Sequence, residues 1–159
     1  MAAIAGPGPF LDTSVLLPAL IELGAEGEAA QSILTAVAER RLPRPHTAWH
    51  CCLEFYSVST RMPEEYRLSA ADALRLIEEE IFARFAVHDL PANRRRGFLE
   101  AAARERIRGG RIYDAHIGEI ARLAGVKVLV TDNPLHFAGL ARHGVEVLSA
   151  KAFAERIGA

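Results

Sequence analysis

Residues 111–133, RIYDAHIGEIARLAGVKVLVTDN, run from an amphipathic helix pattern through a glycine stop into a short β-branched segment. This succession restricts the fold more than any other stretch of the chain. Tyr113, Ile117, Ile120 and Ala124 recur at the spacing of one apolar helix face. Gly125 supplies the stop, and residues 126–130 read as a strand apolar enough to be buried. Asp114 stands at the start of the helix and Asp132 just after the strand. A strand ending in Thr131-Asp132-Asn133 brings its polar tip to the carboxyl edge of the sheet, where open α/β sheets bind ligands.

The same alternation runs through the chain. A first strand ends at Asp12, and a helix follows over residues 15–21. A second helix spans 28–41, with Ala29, Ile33, Ala36 and Val37 as its inner stripe. Residues 42–46 make a weak strand at best, because prolines remove ladder donors. Thr47 is expected to cap a helix running to Arg61, on which Trp49, Leu53, Tyr56 and Thr60 share a face. Ser69 and Asp72 resemble a capping box, and the helix that they open is expected to hold Leu74, Ile77, Ile81 and Phe85 inward. Glu78, Glu79 and Glu80 read as its solvated side. A short strand is expected over 86–90. A helical segment within 91–111 carries seven arginines against Glu100 and Glu105. A short helix over 136–142, a last strand over 145–148 and a helix capped by Ser149 complete the pattern. Strands alternating with helices argue for a parallel α/β sheet covered on both faces.

With 159 residues the chain is expected to form one domain, with residues 1–9 as a flexible lead-in. Half of it is hydrophobic, enough for a sizeable core. Nineteen basic side chains against 20 acidic ones exclude bulk nucleic-acid electrostatics but leave room for a local basic face. No run approaches the ~18 apolar residues of a membrane span. The opening MAAIAGPGPF lacks the basic and apolar regions of a signal peptide. Cys51 and Cys52 are adjacent, so reduced thiols in a cytoplasmic protein are expected, and their spacing does not suit zinc.

Four acids are conspicuous by position: Asp12 after the first strand, Glu54 in a largely apolar helix, Asp114 at a helix start and Asp132 after a late strand. Two like charges ~4 Å apart repel by ~4 kcal/mol at an effective dielectric of ~20. A divalent cation removes that repulsion, and oxygen donors without clustered His or Cys suit Mg²⁺ or Mn²⁺. Such a site supports phosphodiester hydrolysis by metal-activated water. No serine or cysteine triad, Walker loop or GxGxxG accompanies it. Each acid also has a plainer reading: Asp12 and Asp114 as helix caps, Asp132-Asn133-Pro134 as a turn, Glu54 as a partly exposed helix acid. His116 reads as a surface histidine, and the arginines as a solvated face.

FLDTS at 10–14, the helical Glu54, IYDAHIGEIA at 112–121 and VLVTDNPLHF at 128–137 resemble the successive motifs of PIN-domain nucleases, and among them the VapC toxins of bacterial toxin–antitoxin pairs. The resemblance implies a three-layer α/β/α sandwich around a mostly parallel sheet. It implies ribonuclease activity with Mg²⁺ or Mn²⁺, an RNA substrate, a cognate antitoxin and a homodimer. By position it carries the core acids onto Asp12, Glu54 and Asp114 and the fourth onto Asp132, with Asp12 and Asp114 as the main metal ligands. Ser14 takes the place of the small hydroxyl residue that orients the first acid, and Thr131 and Asn133 flank the last. Arg108 and Arg111 are expected to help bind RNA phosphate. Two other readings stand beside this one. A Mg²⁺-dependent phosphatase would use Asp12 as nucleophile but wants an Asp where Ser14 stands. A PIN-like module would bind RNA or protein without cutting.

Overall fold

The computed structural model describes residues 6–159, so the first five residues of the expected lead-in lie outside it. Five short strands form one parallel sheet: β1 (Phe10–Leu11), β2 (His46–Ala48), β3 (Ala86–His88), β4 (Val128–Val130) and β5 (Glu146–Leu148). Their order is β3-β2-β1-β4-β5. The chain first builds outward from β1 through β2 to β3, then returns to add β4 on the other side of β1. The β1–β4 boundary is therefore the topological switch point, the position where such sheets open a crevice beyond their strand ends.

Right-handed crossovers place the helices on both faces. On one side α1 (Thr13–Leu20), α2 (Glu28–Ala38) and α7 (Ala150–Ile157) pack on one another, with α3 (Trp49–Ser59) against α1 and α4 (Ala70–Leu76) against α3. On the other, α6 (Arg111–Leu123) packs against β2, α5 (Ala92–Arg104) and a 3-10 segment, Pro134–His143. Phe10, Leu11, Leu129 and Val130 are fully buried in the central strands, with Val15, Ile33, Phe55, Ile117 and Ile120 closing over them. This is the α/β/α architecture expected from the alternation of elements. Among the described residues no helix is long and apolar enough to cross a membrane.

Several local expectations are corrected. Gly8 and Pro9, assigned to the lead-in, are buried, and Pro9 accepts a hydrogen bond from the His46 amide at 2.8 Å. Thr47 does not cap α3. It lies in β2 and donates its hydroxyl to the Leu11 carbonyl at 2.8 Å, while Ala48 takes the cap position. The prolines of 42–46 stand before β2, which begins only at His46, so the ladder loses no donor to them. In α2 the buried small residue is Ala30 rather than Ala29. Leu74 is 51% exposed, and Ala73 is buried in its place. The cause is a π-helical turn over Ile77–Phe82, with Ala83 N donating to the Glu78 carbonyl at 3.2 Å. With more residues per turn it keeps Ile77, Ile81 and Phe85 in line at four-residue spacing, in register with Ala73 one turn before it. Ser69 does cap α4, its Oγ accepting from Asp72 N at 3.0 Å, but the Asp72 carboxylate accepts from the Ser69 hydroxyl at 2.8 Å rather than from its backbone amide, so the capping box is only half made. Tyr113, expected on the apolar face of α6, is 56% exposed and stacks on His50 instead.

Candidate active site

Asp12 follows β1 directly and serves as the N-cap of α1, its Oδ1 accepting from Thr13 N at 2.7 Å. The capping reading of this residue is thus correct as geometry, but it uses only one carboxylate oxygen. The other, Oδ2, accepts from Ser14 Oγ at 3.0 Å and from Thr131 Oγ1 at 2.8 Å. Thr131 reaches it from the end of β4, the neighbouring strand across the switch point. Asp132 N donates to Ser14 Oγ at 2.9 Å, and Asn133 N donates to Thr131 Oγ1 at 3.1 Å. The two segments are thereby laced together by a pair of hydroxyls that each bridge a backbone amide and the carboxylate.

Asp12 is only 5% exposed. Burial raises its pKa above the ordinary carboxylate value, in spite of the hydrogen bonds from Thr131, Ser14 and Thr13, and the nearby Glu54 charge adds to the rise. Among the described residues no Lys, Arg or His forms an ion pair with it. Thr13 Oγ1 is buried and makes no hydrogen bond within 3.5 Å, yet lies close enough to Glu54 to help hold that carboxyl's pKa down.

The remaining acids approach from other elements. Glu54 on α3 holds His50, one helical turn earlier, at 2.7 Å. That contact raises the His50 pKa, with the Glu54, Asp12 and Asp114 charges adding to the rise against the opposing effect of burial, and it lowers the pKa of Glu54. His50 therefore lies in the field of three carboxylates, one after β1, one on α3 and one on α6. Its ring stacks on Tyr113 at 5.4 Å and meets His116 edge-on at 5.3 Å. Asp114, in the first turn of α6, pairs with His136 Nδ1 at 2.9 Å. Asp132 joins through its backbone only; its side chain is exposed, with a pKa raised by partial burial. Arg108 and Arg111 line a recess shared with His136 and Ala115, next to Asp114.

Sequence reasoning missed His50 and His136. The four-residue spacing of His50 and Glu54 on one helix face was a usable signal. Nothing local announces the His136–Asp114 pair, which forms across separate elements. His116, expected at the surface, is half-buried between His50 and Phe98, and burial lowers its pKa.

A hard divalent cation suits this donor set. A buried carboxylate with no cationic partner, an unpartnered buried hydroxyl and further carboxylates nearby are all oxygen donors. Among the described residues no three Asp, Glu, His or Cys side chains sit close enough to cage an ion. Mg²⁺ needs no such cage, since it keeps several waters and binds through one or two carboxylates.

The PIN-domain family model matches residues 10–141. Ribonuclease VapC27 of Mycobacterium tuberculosis is 37% identical over 110 residues, 69% of this chain and 73% of that protein. Ribonuclease VapC40 of the same species is 30% identical over 121 residues, 76% of this chain and 84% of that protein. Among solved structures, PAE2754 from Pyrobaculum aerophilum superposes with a TM-score of 0.61 at 18% identity, covering 96% of this chain and 90% of that one. FitAcB from Neisseria gonorrhoeae gives 0.58 at 15% identity, covering 89% and 97%. The two superpositions establish a shared fold.

Proposed function

The chain belongs to the PIN-domain family, and from that premise we propose that it is a VapC-type endoribonuclease that hydrolyses RNA phosphodiesters with Mg²⁺ or Mn²⁺. The carrying observation is the buried, cation-free Asp12 carboxylate at the switch point, with Glu54 and Asp114 grouped around His50 beside it. Asp12 and Asp114 would hold the ion, helped by Glu54 and through water by Asp132. A bound divalent cation would supply hydroxide at neutral pH and offset charge developing on phosphorus.

The chain's own groups define what surrounds that chemistry. Ser14 and Thr131 fix the Asp12 carboxylate by donating to Oδ2, so it presents one orientation. His50, its pKa raised by Glu54, offsets that carboxylate's charge, and His136 Nδ1 contacts Asp114 at 2.9 Å, so each of these acids has a histidine partner. Arg108 and Arg111 stand beside Asp114, where a phosphate flanking the scissile bond would pass. A phosphatase with Asp12 as nucleophile is disfavoured. Ser14 occupies the position where a second Asp is required.

The reading extends to a cytoplasmic toxin, folded as one domain, paired as a homodimer and restrained by a cognate antitoxin. An apolar surface is available for protein contacts: Trp49, Leu53 and Tyr56 on α3 are exposed, and Trp49 stacks on Phe82 at 6.4 Å. Expression in a bacterial host should arrest growth and deplete RNA. Asp12→Asn should restore growth, and undiminished toxicity of that variant would reject the proposal.

A further inference from the structure

A cavity of about 330 Å³ opens between α5, α6 and the 3-10 segment, and no step described above uses it. It falls at the lower end of the ~300–1,000 Å³ range of small-ligand pockets. Its floor is apolar, formed by Phe98, Phe137 and Leu140. At Gly118 the helix sends no side chain into this space, and a Cβ there would lie 3.6 Å from Phe137 and 3.7 Å from Leu140, in ordinary contact. The mouth has the opposite character. Arg111, His136 and Arg142 stand around it, and Leu135 projects there 84% exposed. A second recess, lined by Arg106, Arg108 and Arg111, continues from it past His136. None of these three arginines is ion-paired among the described residues. The carboxylates that also line the cavity are held by partners: Glu105 by Arg142 at 3.2 Å, Glu119 by Arg122 at 2.6 Å, Asp114 by His136 at 2.9 Å.

A slot with one apolar side, formed by Phe98, Phe137 and Leu140, and an unpaired Arg111 at its mouth suits a flat aromatic ring joined to a phosphate. Single-stranded RNA offers that combination, since its bases can be splayed out, stacked on side chains and read one at a time. Asp114 and His136 line the cavity and also border the acid site, so an occupant would lie next to the scissile phosphate. Resting on the ribonuclease reading, we infer that this cavity receives one unstacked base adjoining the bond that is cut, with the unpaired Arg111 on its flanking phosphate. It is the element that gives cleavage a base preference at one position.

The test separates this pocket from the catalytic assignment by measuring binding without cleavage. Short single-stranded oligoribonucleotides, each carrying 2-aminopurine at a different position, are titrated into the full-length Asp12→Asn protein. A fluorescence change confined to one position is expected. Filling the slot from the floor with Gly118→Val, or from the wall with Ala101→Leu, should abolish that change and weaken binding about tenfold, the scale set by loss of one stacked base. Circular dichroism selects the filled variants that remain folded, and two independent variants guard against misfolding of either. A change at no position, or one that persists in a folded filled variant, overturns the inference. With Asp12 restored, the ends of fragments cut from a random RNA pool provide the second readout. Unaltered base preference in the filled proteins would reject the pocket and leave the ribonuclease reading intact.

Discussion

Asp12→Asn should abolish activity and at the same time make the metal-free protein more stable. The carboxylate is 5% exposed, has no cationic partner and lies near Glu54. Ionising it there requires desolvation that in real proteins amounts to several kcal/mol per ion. Three hydrogen bonds work the other way, from Thr13 N, Ser14 Oγ and Thr131 Oγ1 at 2.7, 3.0 and 2.8 Å. Bonds to a charged group contribute about 1.5–3 kcal/mol each, neutral ones about 1. The raised pKa of Asp12 shows which side prevails, because it means that the surroundings favour the neutral form. Asparagine supplies a neutral group of the same shape, remains a good N-cap and can donate to the hydroxyls that formerly donated to it. A net gain on the order of 1 kcal/mol follows, or about 2–4 °C in melting temperature for a chain of this size. The sign with pH is fixed. A carboxyl with a raised folded pKa contributes stability below its unfolded value and loses it as pH rises through the folded one. The advantage of Asn should therefore be present at neutral pH and vanish on acidification below the ordinary carboxylate value. Thermal melts of both proteins in chelator, from acid to neutral pH, measure this directly. A variant destabilised by 1 kcal/mol or more at neutral pH would refute the reasoning.

Other outcomes follow from separate parts of the structure. Gly8→Ala should destabilise the fold by about 1–3 kcal/mol or more, because the new Cβ would fall 2.0 Å from the Arg44 carbonyl oxygen, a backbone clash that chemical denaturation would register. His50→Ala should raise the pKa of Glu54, which the His50 contact now holds down, and carbon-detected carboxylate titration by NMR would show no change if that contact is absent in solution. Cys51 and Cys52 are buried, with pKa values pushed up to about 12 and about 11, so a thiol reagent at pH 8 should label them only as fast as the protein unfolds. Immediate labelling of the native protein would contradict the packing of α3.

The alternation of apolar runs and amphipathic patterns was enough to foresee a parallel sheet and its covering helices, because burial enforces a period on each element, although the second strand, expected weakly over 42–46, lies at His46–Ala48. It could not foresee where the phase slips. Leu74 was misplaced because a π-helical turn is a backbone event without a residue signature. Thr47 was misplaced because a cap and a strand hydroxyl use the same residue, and only the partner, the Leu11 carbonyl, distinguishes them. At the site, Asp12 was legible from its place at a strand end, Ser14 and Thr131 entered through the family resemblance, and the structure joins all three. The histidines were not, since His136 meets Asp114 across separate elements, and His50 gains its meaning from charges on three separate segments. Asp132, which local sequence could not separate from a turn residue, turns out to act on the site through its amide.

The most direct test of the central claim is cleavage of single-stranded RNA by the purified protein with Mg²⁺ or Mn²⁺ against chelator, run beside Asp12→Asn and Asp114→Asn. Metal-dependent cutting by the parent, reduced at least 100-fold (about 2.7 kcal/mol or more in transition-state stabilisation) in both variants, is the expected result. Variants that cut as fast as the parent, or a parent equally active in chelator, would contradict the assignment of this acid cluster.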